Sequence, residues 1–280
     1  MPEPDPMGSY LASDGDTYQS STPPAPGWWL ASDLWWYPPD AAEPWRRTRW
    51  GLGDVGWGAL VVLVASLLAG VVAVAAGVDP DELTDNPYLI AGLLLPNVLG
   101  FAVVPWIASR RKGVGRLADD YGLTGRWRDV AIGLATGIVG LIAAGSVGFA
   151  VDALLGADEA TSNVPVDSLG STGEIVVFAF AIAVVTPIIE ELFFRGLLYR
   201  SLLKRGRSVL RSTLITTAVF TVPHLTAVST GTAVASLAAA IFTLGIAFNL
   251  AAHWTDNRLL APIVAHIVIN GTAVIALAVA

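Results

Sequence analysis

A charged side chain in the hydrocarbon of a bilayer costs about 3 kcal/mol or more, so ionisable groups inside long apolar stretches mark chemistry. Three such stretches lie in the last third of this 280-residue chain. One carries Glu190-Glu191-Leu192-Phe193-Phe194-Arg195-Gly196, the next Phe220-Thr221-Val222-Pro223-His224, and the last His266-Ile267-Val268-Ile269-Asn270. On a helix Glu191 and Arg195 are four apart, share a face and can pair. Glu190 is turned about 100° away, which leaves it as the free carboxylate. His266 and Asn270 share a face by the same spacing, as do Phe220 and His224. Pro187 and Pro223 each remove a helix hydrogen bond and open backbone room beside these groups.

A carboxylate, two imidazoles and an amide in a partly wet cavity make a hydrolytic set. A Glu can take a proton from water, a neutral His can polarise that water, and a second His with an Asn can donate to a developing oxyanion. The same types can instead hold zinc, as a His₂Glu set with water in the fourth position; the neighbouring Glu is then the base.

These groups need helices that cross a membrane. Seven apolar stretches follow Trp50, at about 54–78, 88–109, 130–155, 174–203, 212–229, 231–252 and 259–280. Most exceed the ~20 residues that span hydrocarbon as helix. No ten-residue alternating segments occur, which excludes a barrel. With 54% hydrophobic and 14% charged residues and a mean hydropathy of +0.62, a water-soluble globule is excluded as well. The expected fold is all-α: a polytopic transmembrane helical bundle of about seven spans, or eight if one long stretch is a re-entrant pair.

Loop charges orient it. Arg46, Arg47 and Arg49 place the N-terminus in the cytoplasm. The loop with Asp79, Asp81, Glu82 and Asp85 has no base and lies outside, as does the loop 156–173. The basic run from Arg110 to Arg128 and the cluster from Arg200 to Arg211 return inside. The basic run reads as anionic-lipid contact, with Asp119 and Asp120 on a short interfacial amphipathic helix. His253, beside Trp254, reads as an interfacial residue.

Residues 1–45 hold seven acids and no Lys or Arg, so the whole formal charge of −7 sits in the tail. The expected organisation is a disordered, acidic, Trp- and Pro-rich cytoplasmic tail over 1–50, N-terminal spans over 51–173 and a catalytic core over 174–280. Six of the ten Trp lie at 28, 29, 35, 36, 45 and 50. They read as membrane-surface anchors, in a stretch that resembles a short Trp-rich module found ahead of membrane segments in bacterial proteins. No cysteine is present, which excludes disulfides and thiolate chemistry. Arg-, Ala-, Val- and Gly-rich usage points to a bacterial source and hence to the cell (inner or plasma) membrane.

Glu-Glu-x-x-x-Arg-Gly, Phe-x-x-x-His and His-x-x-x-Asn, in this order and each in its own span, resemble the CPBP intramembrane proteases, the CAAX prenyl endopeptidase and bacteriocin-processing group. The likeness covers about 174–280. It implies an endopeptidase with a cytosol-facing cavity, in which Glu190 is the general base, His224 assists it, His266 and Asn270 form the oxyanion site, and Glu191, Arg195 and Phe220 support them. It implies a membrane protein or peptide as substrate, with the lipid bilayer as surroundings and no nucleic acid as partner. No obligate cofactor is expected; the zinc alternative would use Glu190, His224 and His266. The rival readings are a non-catalytic membrane scaffold or regulator of a signalling partner, and a transporter.

Overall fold

The computed structural model describes residues 7–12, 14–26, 28–30, 36–37, 45, 48–77, 95–156, 179–227 and 231–279. Among these, helix dominates. The first long helix, α1 (Leu52–Ala75), starts where the Asp54 carboxylate accepts the Gly51 N–H at 2.9 Å. A π-helical turn over Leu99–Val103 runs into α2 (Val104–Lys112), and α3 (Leu117–Tyr121) follows. The longest helix is α4 (Trp127–Leu155). The segment with the paired glutamates is composite: a π turn Ala181–Val185, α5 (Thr186–Glu191), a second π stretch Leu192–Tyr199, and α6 (Arg200–Lys204). Then come α7 (Val209–Thr221) with a 3₁₀ turn Val222–Ala227, α8 (Gly231–Trp254) and α9 (Leu260–Val279).

Three of these, α1, α4 and α8, are long and apolar enough to cross a membrane, and α9 holds a shorter apolar run, Leu260–Ala276. The other expected spans overlap helices that π or 3₁₀ segments interrupt. Leu63, Leu67, Val71, Ile138, Ile142 and Phe149 point outward and are more than half exposed, as lipid-facing side chains must be. The expected outer positions of Asp79 to Asp85, of 157–173 and of 228–230 lie outside the described residues, as do Arg46 and Arg47.

α4 packs along α8 and α9, α8 also meets α7, and α9 lies against the π turn Ala181–Val185. α1 packs on the π turn Leu99–Val103 through two glycines. A Cβ on Gly58 would stand 2.9 Å from the Gly100 carbonyl, and one on Gly100 2.6 Å from the Gly58 carbonyl. Neither helix could approach so closely with a side chain there.

The described residues of the tail add two features. First, two antiparallel strand pairs form: β1 (Gly8–Leu11) with β2 (Thr17–Ser20), and β3 (Trp29–Leu30) with β4 (Trp36–Tyr37). Aromatic contacts replace an aliphatic core. Tyr10 lies 5.9 Å from Tyr18 and 6.1 Å from Trp28, and Trp36 Nε1 donates to the Ser20 carbonyl at 2.9 Å. Second, Trp45 and Trp50 are buried in protein instead of lying at a lipid surface. Trp50 Nε1 donates to Asp120 Oδ1 at 2.9 Å, and Lys204 Nζ lies 4.0 Å over the Trp50 ring while donating to the Thr48 carbonyl at 2.8 Å.

Asp120 likewise departs from the interfacial role expected of it. It is fully buried and accepts from Trp50, Ser109 Oγ and the Val114 and Gly115 amides. Arg200 donates to the Asp120 and Asn257 carbonyls at 2.8 and 2.6 Å. Tail, α2, α3 and α6 are thus tied together at one end of the segment that carries the glutamates. Burial pushes the Lys204 ammonium down to about 8.

Candidate active site

Pro187 sets the local backbone. Thr186 N–H bonds back five residues to the Ala181 carbonyl, and a proline at the next position has no N–H to give Ile182. The Ile182 carbonyl is therefore open to another donor, and Asn270 Nδ2 fills it at 3.0 Å. The π turn and the second π stretch bracket Glu190 and Glu191 on both sides. Interruptions of this kind concentrate at functional sites. Gly196 is needed on the far side: a Cβ there would meet the Tyr121 Cβ at 2.9 Å.

The expected Glu191–Arg195 pair is present, at 2.9 Å, with both side chains fully buried. Arg195 also donates to the Gly245 carbonyl at 3.2 Å and lies between aromatic faces, its Cζ 4.6 Å from the Phe220 ring and 5.0 Å from Phe248. The Phe220 ring packs on Arg195 and lies 4.7 Å from the His224 ring.

His266 makes a contact that its spacing does not announce. Its Nδ1 lies 2.9 Å from Glu191 Oε1, and since a carboxylate only accepts, Nδ1–H is the donor. Nε2 is then the atom turned toward Glu190, at 3.8 Å from Oε2. Glu191 therefore holds both Arg195 and His266, and Phe248 stacks on the imidazole at 4.7 Å. His224 Nδ1 meets the Phe220 carbonyl at 2.8 Å, which leaves its Nε2 to the cavity.

Glu190, His224, His266 and Asn270 all line one cavity of about 290 Å³, with Ile182, Thr186 and Phe248. Glu190 Oε2 is buried and makes no hydrogen bond among the described residues, as a group that handles water would. Asn270 keeps one N–H beyond the one given to Ile182. Among the described residues no group of three His, Asp or Glu side chains stands close enough to hold a metal ion.

Phe248 and the link from His266 to Glu191 carried no signal in the sequence. Pro187 was the only sign of the open carbonyl. Asn249 donates to Thr217 Oγ1 at 3.1 Å and to the Gly245 carbonyl at 2.8 Å, a helix-joining contact. His253 is exposed and does not line the cavity.

A search of the curated proteins and of the solved structures finds no match to the chain. Residues 172–272, just over a third of the chain, match the family described as type II CAAX prenyl endopeptidase Rce1-like. Every residue of the cavity set lies inside that match, which supports a CPBP family intramembrane protease.

Proposed function

We propose that this integral membrane protein is an endopeptidase that hydrolyses a peptide bond of a membrane-associated protein or peptide with water activated by Glu190. The observation that carries the proposal is the shared cavity: one carboxylate with an oxygen that makes no hydrogen bond among the described residues, two imidazoles and an amide from three separate helical segments around a space of about 290 Å³. Glu190 takes a proton from water as the water oxygen attacks the scissile carbonyl carbon. The resulting oxyanion is met by the remaining Asn270 N–H and by polarised imidazole N–H. When the tetrahedral adduct collapses, the C–N bond breaks and the leaving amine takes the proton held at Glu190. His266 Nε2 donates only while that ring carries both protons, and the Nδ1–H bond to Glu191 holds the ring in that orientation. His224 orients the attacking water. No step requires a metal.

The seven-span topology, the cytoplasmic N-terminus and a place in a bacterial plasma membrane belong to the same proposal. The topology and orientation rest on the alternation of loop charges, and the bacterial membrane on the Arg-, Ala-, Val- and Gly-rich usage. Cleavage is placed near the cytoplasmic face, close to the C-terminus of the substrate. The test is C-terminal peptide proteomics of membranes with and without the protein. New C-termini on membrane polypeptides are expected only with it; identical C-termini in both would oppose the proposal.

A further inference from the structure

A second cavity of about 290 Å³ opens between α1 and α2, at the end of the bundle where Arg110, Arg111 and Lys112 gather. The two helices run antiparallel, since Asp54 meets Lys112 while Gly58 approaches Gly100. Both therefore grade the cavity in the same direction. Asp54 faces Arg111 and Lys112 at its polar end, and Val61 faces Val104 and Ile107 at its apolar end. Trp57, 62% exposed, stands between them, where an indole sits at headgroup level.

The charge at the polar end has a sign. Lys112 Nζ is 2.7 Å from Asp54 Oδ1, and the other Asp54 oxygen accepts the Gly51 N–H. That pair is internally neutral. The exposed Arg111 guanidinium then sets the net positive charge of the mouth.

We propose that this cavity is a site for one anionic phospholipid. The phosphate lies against Arg111, which can take it through two N–H bonds, and an acyl chain runs along Val61, Val104 and Ile107. Basic pockets between membrane helices bind such headgroups. The site is separate from the peptidase cavity and does not depend on its chemistry.

The test is native mass spectrometry of the full chain in neutral detergent, with phosphatidylglycerol, phosphatidylcholine of the same chains, and glycerol 3-phosphate as a headgroup without a tail. One phosphatidylglycerol is expected to be retained severalfold better than phosphatidylcholine. Arg111→Ala should weaken it about fivefold, since a basic residue near a membrane surface contributes about 1 kcal/mol, and Arg111→Lys should keep most of it. Arg116→Ala should change nothing, because Arg116 lies outside the cavity and pairs with Asp119 at 2.6 Å. Val104→Trp, which fills the apolar end, should expel the lipid; if that variant does not fold, the Arg111 pair decides. Equal retention of the two lipids would mean an ordinary lipid annulus and overturn the proposal. So would glycerol 3-phosphate competing as well as the lipid, or Arg111→Ala binding like wild type.

Discussion

Two adjacent glutamates should respond oppositely to substitution. Glu191 is fully buried, pairs with Arg195 at 2.9 Å and receives the His266 N–H at 2.9 Å. Glu191→Ala removes both contacts and strands a guanidinium that is 1% exposed. Breaking a buried pair from one side costs about 3–5 kcal/mol. An imidazole N–H left without its acceptor adds about 1–3 kcal/mol. The sum, about 4–8 kcal/mol, is comparable with a typical whole stability of about 5–15 kcal/mol. For a chain of this size it corresponds to a fall of roughly 8–32 °C in Tm at about 2–4 °C per kcal/mol. Glu190 Oε2 makes no hydrogen bond among the described residues, so Glu190→Gln should shift Tm by no more than about 2–4 °C, the equivalent of about 1 kcal/mol. Thermal unfolding in detergent micelles, followed by the retained monodisperse fraction, measures both. Glu191→Ala with Arg195→Met removes the stranded charge together with its partner and should regain more than half of the loss. A Glu191→Ala protein that melts with wild type, or a double variant no better than the single one, would refute the clamp.

His224→Ala and His266→Ala should each lower kcat by about 10²-fold or more, the scale of a general acid–base or oxyanion contribution; a normal cleavage rate in both would place the chemistry elsewhere. Cleavage by purified protein should persist in a strong chelator, and loss of activity restored by added zinc would contradict the metal-free steps. Lys204 titrates at about 8 in the folded protein against 10.5 ordinarily. Between those values the unfolded chain binds a proton that the native chain has lost, so Lys204 makes stability rise with pH there, while below about 8 the cost of burying its charge is fully present. The Tm of wild type should accordingly rise relative to Lys204→Met as pH goes from 8 toward 10.5; parallel curves would show that the Lys204 charge carries no such cost.

The parts of the site that were legible in sequence are those fixed by local periodicity. Glu191 and Arg195 were read as a pair from their four-residue spacing, and they are one. The three motifs could be recognised because a membrane span makes each ionisable residue conspicuous. What spacing cannot carry is which helix faces which. The bond from His266 to Glu191 crosses 75 positions and the one from Asn270 to Ile182 crosses 88. A constant 3.6-residue turn also hid the π segments around α5, of which Pro187 was the single sign. The contacts of the tail were hidden for a different physical reason. Its aliphatic content is low, and Tyr10, Tyr18 and Trp28 supply apolar contact through rings, while Trp50 has an N–H that Asp120 can hold inside the protein.

The central claim is that the Glu190 carboxylate activates the water that cleaves the substrate. The direct measurement is the cleavage rate of a membrane polypeptide identified from the new C-termini, with wild type and Glu190→Gln compared at equal amounts of folded, inserted protein. A glutamine of nearly the same shape cannot accept the proton, so the rate should fall to background while folding and insertion stay at wild-type levels. Cleavage by Glu190→Gln at the wild-type rate would contradict the assignment.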